Sequence, residues 1–128
     1  MGPVKKVKFD CGILEFHEHY VICEMFEGIH LDTENFGMLV SLCREHFGER
    51  PFGYISHRIY SYSIDPCMYS ETNLISNCIA IAAVVCTSAQ RLSSRVEQIF
   101  CKKPFEYFYN LEEAELWVSD KVRQSLTD

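Results

Sequence analysis

A chain of 128 residues with 48% hydrophobic and 13% aromatic content suits one domain, residues 1–128, built on a single core. Its 12 Lys and Arg face 18 Asp and Glu, a net charge of −6 with the acids scattered along the chain, which disfavours a nucleic-acid backbone binder; Lys5, Lys6 and Lys8 are too small a basic patch to reverse this. The first ten residues carry no apolar signal-type stretch, position 6 lacks the Ser or Thr that myristoylation needs, and the longest apolar run, residues 78–86, is about half a membrane span, so a cytoplasmic protein without membrane insertion is expected.

Residues 7–9 and 13–16 read as one strand interrupted at 10–12, and residues 20–26 as a second, joined through His17-Glu18-His19 as a hairpin. Asp32 or Thr33 then offers an N-cap, and Phe36, Leu39, Val40, Cys43 and Phe47 recur at helical spacing until Gly48 closes the helix. A third strand spans 51–56, and the Asp65-Pro66 step starts a helix reaching about Ser76. The apolar run at 78–86 reads as a buried strand. After Thr87 and Ser88 as caps, Leu92, Val96 and Ile99 describe an amphipathic helix expected to face the sheet. Residues 105–108 form a last strand, and Asn110 caps a helix burying Leu111, Ala114, Trp117 and Val118. The order ββαβαβαβα gives an α/β class with a mixed sheet of about five strands, parallel in its later part.

The seven cysteines are odd in number and form no Cys-x-x-Cys pair, so they read as reduced core thiols; Cys67, at a helix start, is the best candidate for a reactive one. His17 and His19 share one side of an extended chain, but two imidazoles do not make a zinc site, and solvation at a hairpin tip explains them, so no metal is expected. His57 could pair with a loop serine or with Cys67 in a small enzyme. No nucleophile elbow, Walker loop, dinucleotide fingerprint or His-Glu-x-x-His supports that reading, and no cofactor is called for.

The element order, together with Lys103-Pro104-Phe105 through Asn110-Leu111-Glu112-Glu113-Ala114 to Trp117, resembles the STAS superfamily, most closely its SpoIIAA-like branch, often grouped with the SEC14 lipid-transfer fold. The resemblance implies a small regulatory or binding domain without catalysis of its own. It also implies a phosphorylatable serine after the third strand, in an Asp-apolar-Ser pattern. Tyr54-Ile55-Ser56 is the nearest match, with Tyr54 in the aspartate's place.

The residues themselves point to the same end of the sheet. Ser56, His57, Arg58, Ser61 and Ser63 follow the third strand, and Thr87 and Ser88 follow the fourth, so adjacent parallel strands would gather both sets on one rim. There an anion would meet hydroxyls, helix N-termini and one guanidinium fork. An exposed Arg58 would tolerate truncation to Ala within about 0.5 kcal/mol while losing anion binding. The expected function is protein–protein interaction or the holding of a small anionic ligand at this rim; the alternative is a SEC14-like carrier with an apolar cavity. A homodimer covering the edge left by the early hairpin is also expected.

Overall fold

A computed structural model describes residues 4–60 and 62–127. Six strands form one sheet in the order β1 (Lys5–Phe9), β2 (Gly12–Phe16), β3 (Tyr20–Met25), β5 (Phe52–His57), β7 (Cys78–Val84), β8 (Phe105–Phe108). The first three run antiparallel to one another and the last four are parallel. The expected interrupted strand is therefore two strands: the chain reverses at Asp10-Cys11, so that Phe9 faces Gly12 across a hairpin. A separate parallel pair joins β4 (His30–Leu31) to β6 (Ser63–Ile64).

Because β3, β5, β7 and β8 lie side by side in chain order, crossovers of one hand leave their helices on one face. On that face α1 (Thr33–Phe47) buries Phe36, Leu39, Cys43 and Phe47 against β2, β3 and β5. Asp32 Oδ1 accepts from the Asn35 amide at its N-terminus, and Gly48, at φ 61°, takes the left-handed turn that ends it. The next crossover is shorter than expected. A single 3-10 turn at Pro66–Met68 leads into α2 (Tyr69–Thr72), which Asn73 terminates. The third is α3 (Ser88–Phe100), and α4 (Leu111–Thr127) covers the opposite face alone, setting Ala114, Val118 and Val122 on Ile22, Ile55, Ala82 and Val84. Tyr20 ties α4 to the sheet by donating its hydroxyl to Glu115 over 2.5 Å. No described helix is long and apolar enough to cross a membrane.

The α3 expectation is overturned. Its buried residues are Ser94 and Glu97, while Leu92, Val96, Ile99 and Phe100 are 63%, 45%, 80% and 47% exposed. The apolar stripe is real, but it faces outward.

Cys11, Cys23, Cys43, Cys78 and Cys101 are buried free thiols. Burial pushes the Cys23 and Cys78 thiols from 9.0 up to about 12, and Cys43 upward as well. These groups ionise in the unfolded chain before they do in the folded one. Their contribution to stability is thus complete below pH 9 and is lost as the pH climbs toward 12. Urea unfolding at pH 8 and pH 10 is expected to differ by about 1 kcal/mol per buried thiol; equal stabilities at both would show that these thiols titrate normally.

Candidate functional site

β5 carries the decisive residues, and strand alternation sorts them. Ile55 packs in the α4-side core and Tyr54 against the α1-side core. Ser56 and the following Arg58 share the α1 and α3 side, whereas His57 points to the α4 side, its Nδ1 3.5 Å from Glu24 Oε1 and without a hydrogen bond. The expected grouping of His57 with Ser56 and Arg58 is thus broken by the period of the strand.

Arg58 is not an exposed rim cation. It is 4% exposed, and its Nη1 and Nη2 donate to Glu97 Oε2 and Oε1, each over 2.6 Å, while Nε donates to Ser56 Oγ over 3.1 Å. Glu97, 1% exposed, also accepts from the Tyr69 hydroxyl over 2.5 Å and from Ser93 Oγ over 3.4 Å. Ser56 Oγ and the Tyr62 hydroxyl lie 2.5 Å apart, and the guanidinium carbon sits 5.8 Å from the Tyr62 ring centre. Burial alone would favour a neutral Arg58, but the negative charge of Tyr62 when ionised and of the hydrogen-bonded Glu97 carboxylate outweighs it and holds its pKa above the usual arginine range. Burial, reinforced by the Glu97 charge, raises the Tyr69 hydroxyl well above 10.0.

Glu97 was not among the residues expected from the sequence. The available signal was Arg58 itself: a guanidinium directly after an apolar strand needs a buried acid, and Glu97 lies at the middle of the polar face of α3.

The remaining expected site residues divide. Thr87 is the N-cap of α3, accepting from the Gln90 amide over 3.1 Å, and it lines an open cleft of about 180 Å³ with Arg58, Tyr60, Tyr62, Gln90 and Ser93. Ser88 is exposed at the first turn of α3. Ser63 lies on β6 with its Oγ 2.7 Å from His30 Nδ1, tied to a different ribbon. Ser61 falls outside the described residues. Ser56, the serine expected to be phosphorylatable, is 3% exposed, with its Oγ held against the Tyr62 hydroxyl.

Cys67 is exposed on the 3-10 turn, where its amide donates to Asp65 Oδ1 over 3.0 Å, so that helix start already holds a carboxylate. His17 is buried rather than solvated, 2.9 Å from Glu15 and stacked on Tyr20. Among the described residues, no three His, Cys, Asp or Glu side chains gather as a metal site. Under α1 lies a cavity of about 60 Å³, lined by apolar side chains including Phe36, Leu39 and Met68, with Ser56 and Arg58 also on its wall.

Neither protein-family models nor curated protein sequences match this chain. Among solved structures, an uncharacterized protein of the DUF3478 family from Shewanella loihica, with a SpoIIAA-like fold, superposes with a TM-score of 0.60 over 92% of this chain and 98% of its own, at 14% identity. The chain has a SpoIIAA-like fold. Within this SpoIIAA-like sheet the carboxyl end of β5 is occupied by a closed ionic cluster, and the outward face of α3 beside it is apolar.

Proposed function

We propose that this protein is a non-catalytic interaction domain that engages another protein through the outer face of α3. The observation that carries this reading is the exposed run of Leu92, Val96, Ile99 and Phe100, on a helix that turns its polar side inward. Neighbouring exposed apolar side chains of this kind mark interaction surfaces more often than solitary ones do. Leu74, 84% exposed, follows Asn73, which bonds both the Phe100 carbonyl and the Lys102 amide at the end of α3.

The other readings have less support. An anion at the rim would find every Arg58 nitrogen engaged by Glu97 or Ser56. A carrier would need a cavity of several hundred cubic ångströms, against about 60 Å³ under α1. Ser56 and His57 face opposite sides of the sheet, which counts against a nucleophile and base pair there. Pairing of a second copy along β1 would set Lys5, Lys6 and Lys8 against their counterparts, a pattern that protects an edge rather than extends it.

A photo-crosslinking amino acid placed at Leu92 in the native host is expected to give a discrete protein adduct that the same group at Leu116, exposed on α4, does not give. No adduct from Leu92, or identical adducts from both positions, would refute the α3 surface.

A further inference from the structure

We infer that the partner segment is an amphipathic helix whose apolar stripe is bordered by carboxylates. This inference rests on the α3 docking surface proposed above and specifies its occupant. Ala89, Leu92, Val96 and Ile99 are all exposed and are spaced three, four and three residues apart, the spacing by which one helix seats its side chains between those of another. With Phe100 they form a ridge along the whole of α3, whose 13 residues span about 20 Å. That length suits about two heptads of a facing helix.

The charges that α3 itself carries beside this ridge are of one sign. At about 100° per residue, Arg95 lies about 60° round the helix from Leu92, and Arg91 follows on the same flank. Both are exposed, and the Arg91 guanidinium carbon stands 5.2 Å from the Tyr107 ring centre, which anchors it at the β8 side. Lys102 stands exposed just past the helix end. The one acid of α3, Glu97, is turned inward and neutralised by Arg58, so no carboxylate on the outer face offsets the cations. The ridge is therefore apolar with a basic border on a chain whose net charge is −6.

This asymmetry selects among occupants. A second copy meeting α3 on α3 in antiparallel fashion would set Arg95 beside Arg95, and in parallel fashion would give it only Ser93 and Phe100 as neighbours. An anionic bilayer would attract the border but repel the acidic body of the domain. A separate helix with acidic flanks meets both the ridge and its border, and complementary charge of this kind sets partner choice and orientation.

The test uses the full chain with two synthetic probes of about three heptads each, Leu and Ile at a and d, carrying Glu at every e and g in one peptide and Lys in the other. Fluorescence anisotropy is expected to show the Glu peptide binding at least about tenfold more tightly than the Lys peptide, with affinity falling as salt rises. Leu92→Gln with Val96→Gln should abolish binding, and Arg91→Glu with Arg95→Glu should invert the preference while leaving thermal unfolding unchanged. Equal binding of the two peptides overturns the acidic partner and leaves the docking surface standing. So does a wild-type dimer that the Gln pair converts to monomer. Binding to phosphatidylserine vesicles that the Gln pair abolishes, with neither peptide bound, overturns the protein partner altogether. Should the Gln pair alter none of these measurements, and Val96→Gln alone leave the Leu92 adduct intact, the surface itself is refuted.

Discussion

Glu97→Ala is expected to lower the stability of the protein by about 3–5 kcal/mol, a fall in Tm of about 10–20 °C, because it strands a buried guanidinium. Arg58 directs two of its nitrogens to this carboxylate and is 4% exposed, so solvent can replace little of what the carboxylate supplies. Tyr69 loses its acceptor in the same step. The asymmetry of buried ion pairs supplies the control. Replacing Arg58, Glu97 and Tyr69 together by Met, Leu and Phe removes both charges and the orphaned hydroxyl, and should recover most of the loss. Ser56 and Tyr62 still satisfy each other in that variant. Differential scanning calorimetry of the two proteins decides the matter: a Glu97→Ala protein that melts with the wild type would show Arg58 to be solvated, and the cluster would then be no structural element.

Gly53→Ala tests the opposite face. A Cβ built at Gly53 falls on the Val118 side chain, and Val118 is fully buried between α4 and the sheet. Glycine is needed there for the close approach of the helix and not for an unusual backbone angle, since the positive φ values belong to Gly28 and Gly48. The expected cost is about 1–3 kcal/mol, from overpacking. Val118→Ala is costly in its own right, but it opens the room that the added methyl of Gly53→Ala lacks. The double variant should therefore be more stable than the sum of the single losses implies, with a coupling of about 1 kcal/mol. Additive losses in urea unfolding would mean that α4 shifts as a body rather than clashing at one contact.

Elements whose burial is governed by their own apolar pattern were legible in the chain. The α1 pattern of Phe36, Leu39, Cys43 and Phe47, the β7 run and the Ala114 and Val118 positions of α4 all bury as their spacing predicts. Asp32, Thr87 and Asn110 each accept an amide at a helix start, a local interaction that needs no tertiary partner. The α3 helix failed the same reading for an identifiable reason. Its apolar period is genuine, yet Arg58 enters the space beneath it and can be buried only if an acid follows, so α3 presents Glu97 inward and Leu92, Val96 and Ile99 outward. Periodicity states which residues share a face; it does not state which face meets the sheet.

The strand-end site was legible in the same partial way. The parallel neighbourhood of β5 and β7 places Arg58 and Thr87 on one cleft. The alternation of β5 turns His57 away, and the β4 and β6 pairing draws Ser63 to His30.

By itself the sequence determined the α/β class, most element positions and the helix starts, because these follow from local hydrogen bonding and from the period of apolar residues along one segment. The tertiary structure alone decided that Arg58 is spent on Glu97 and that the apolar face of α3 is left open. Both outcomes depend on residues 39 positions apart meeting in a medium where a charge must find its counter-charge before any apolar side chain can claim the space.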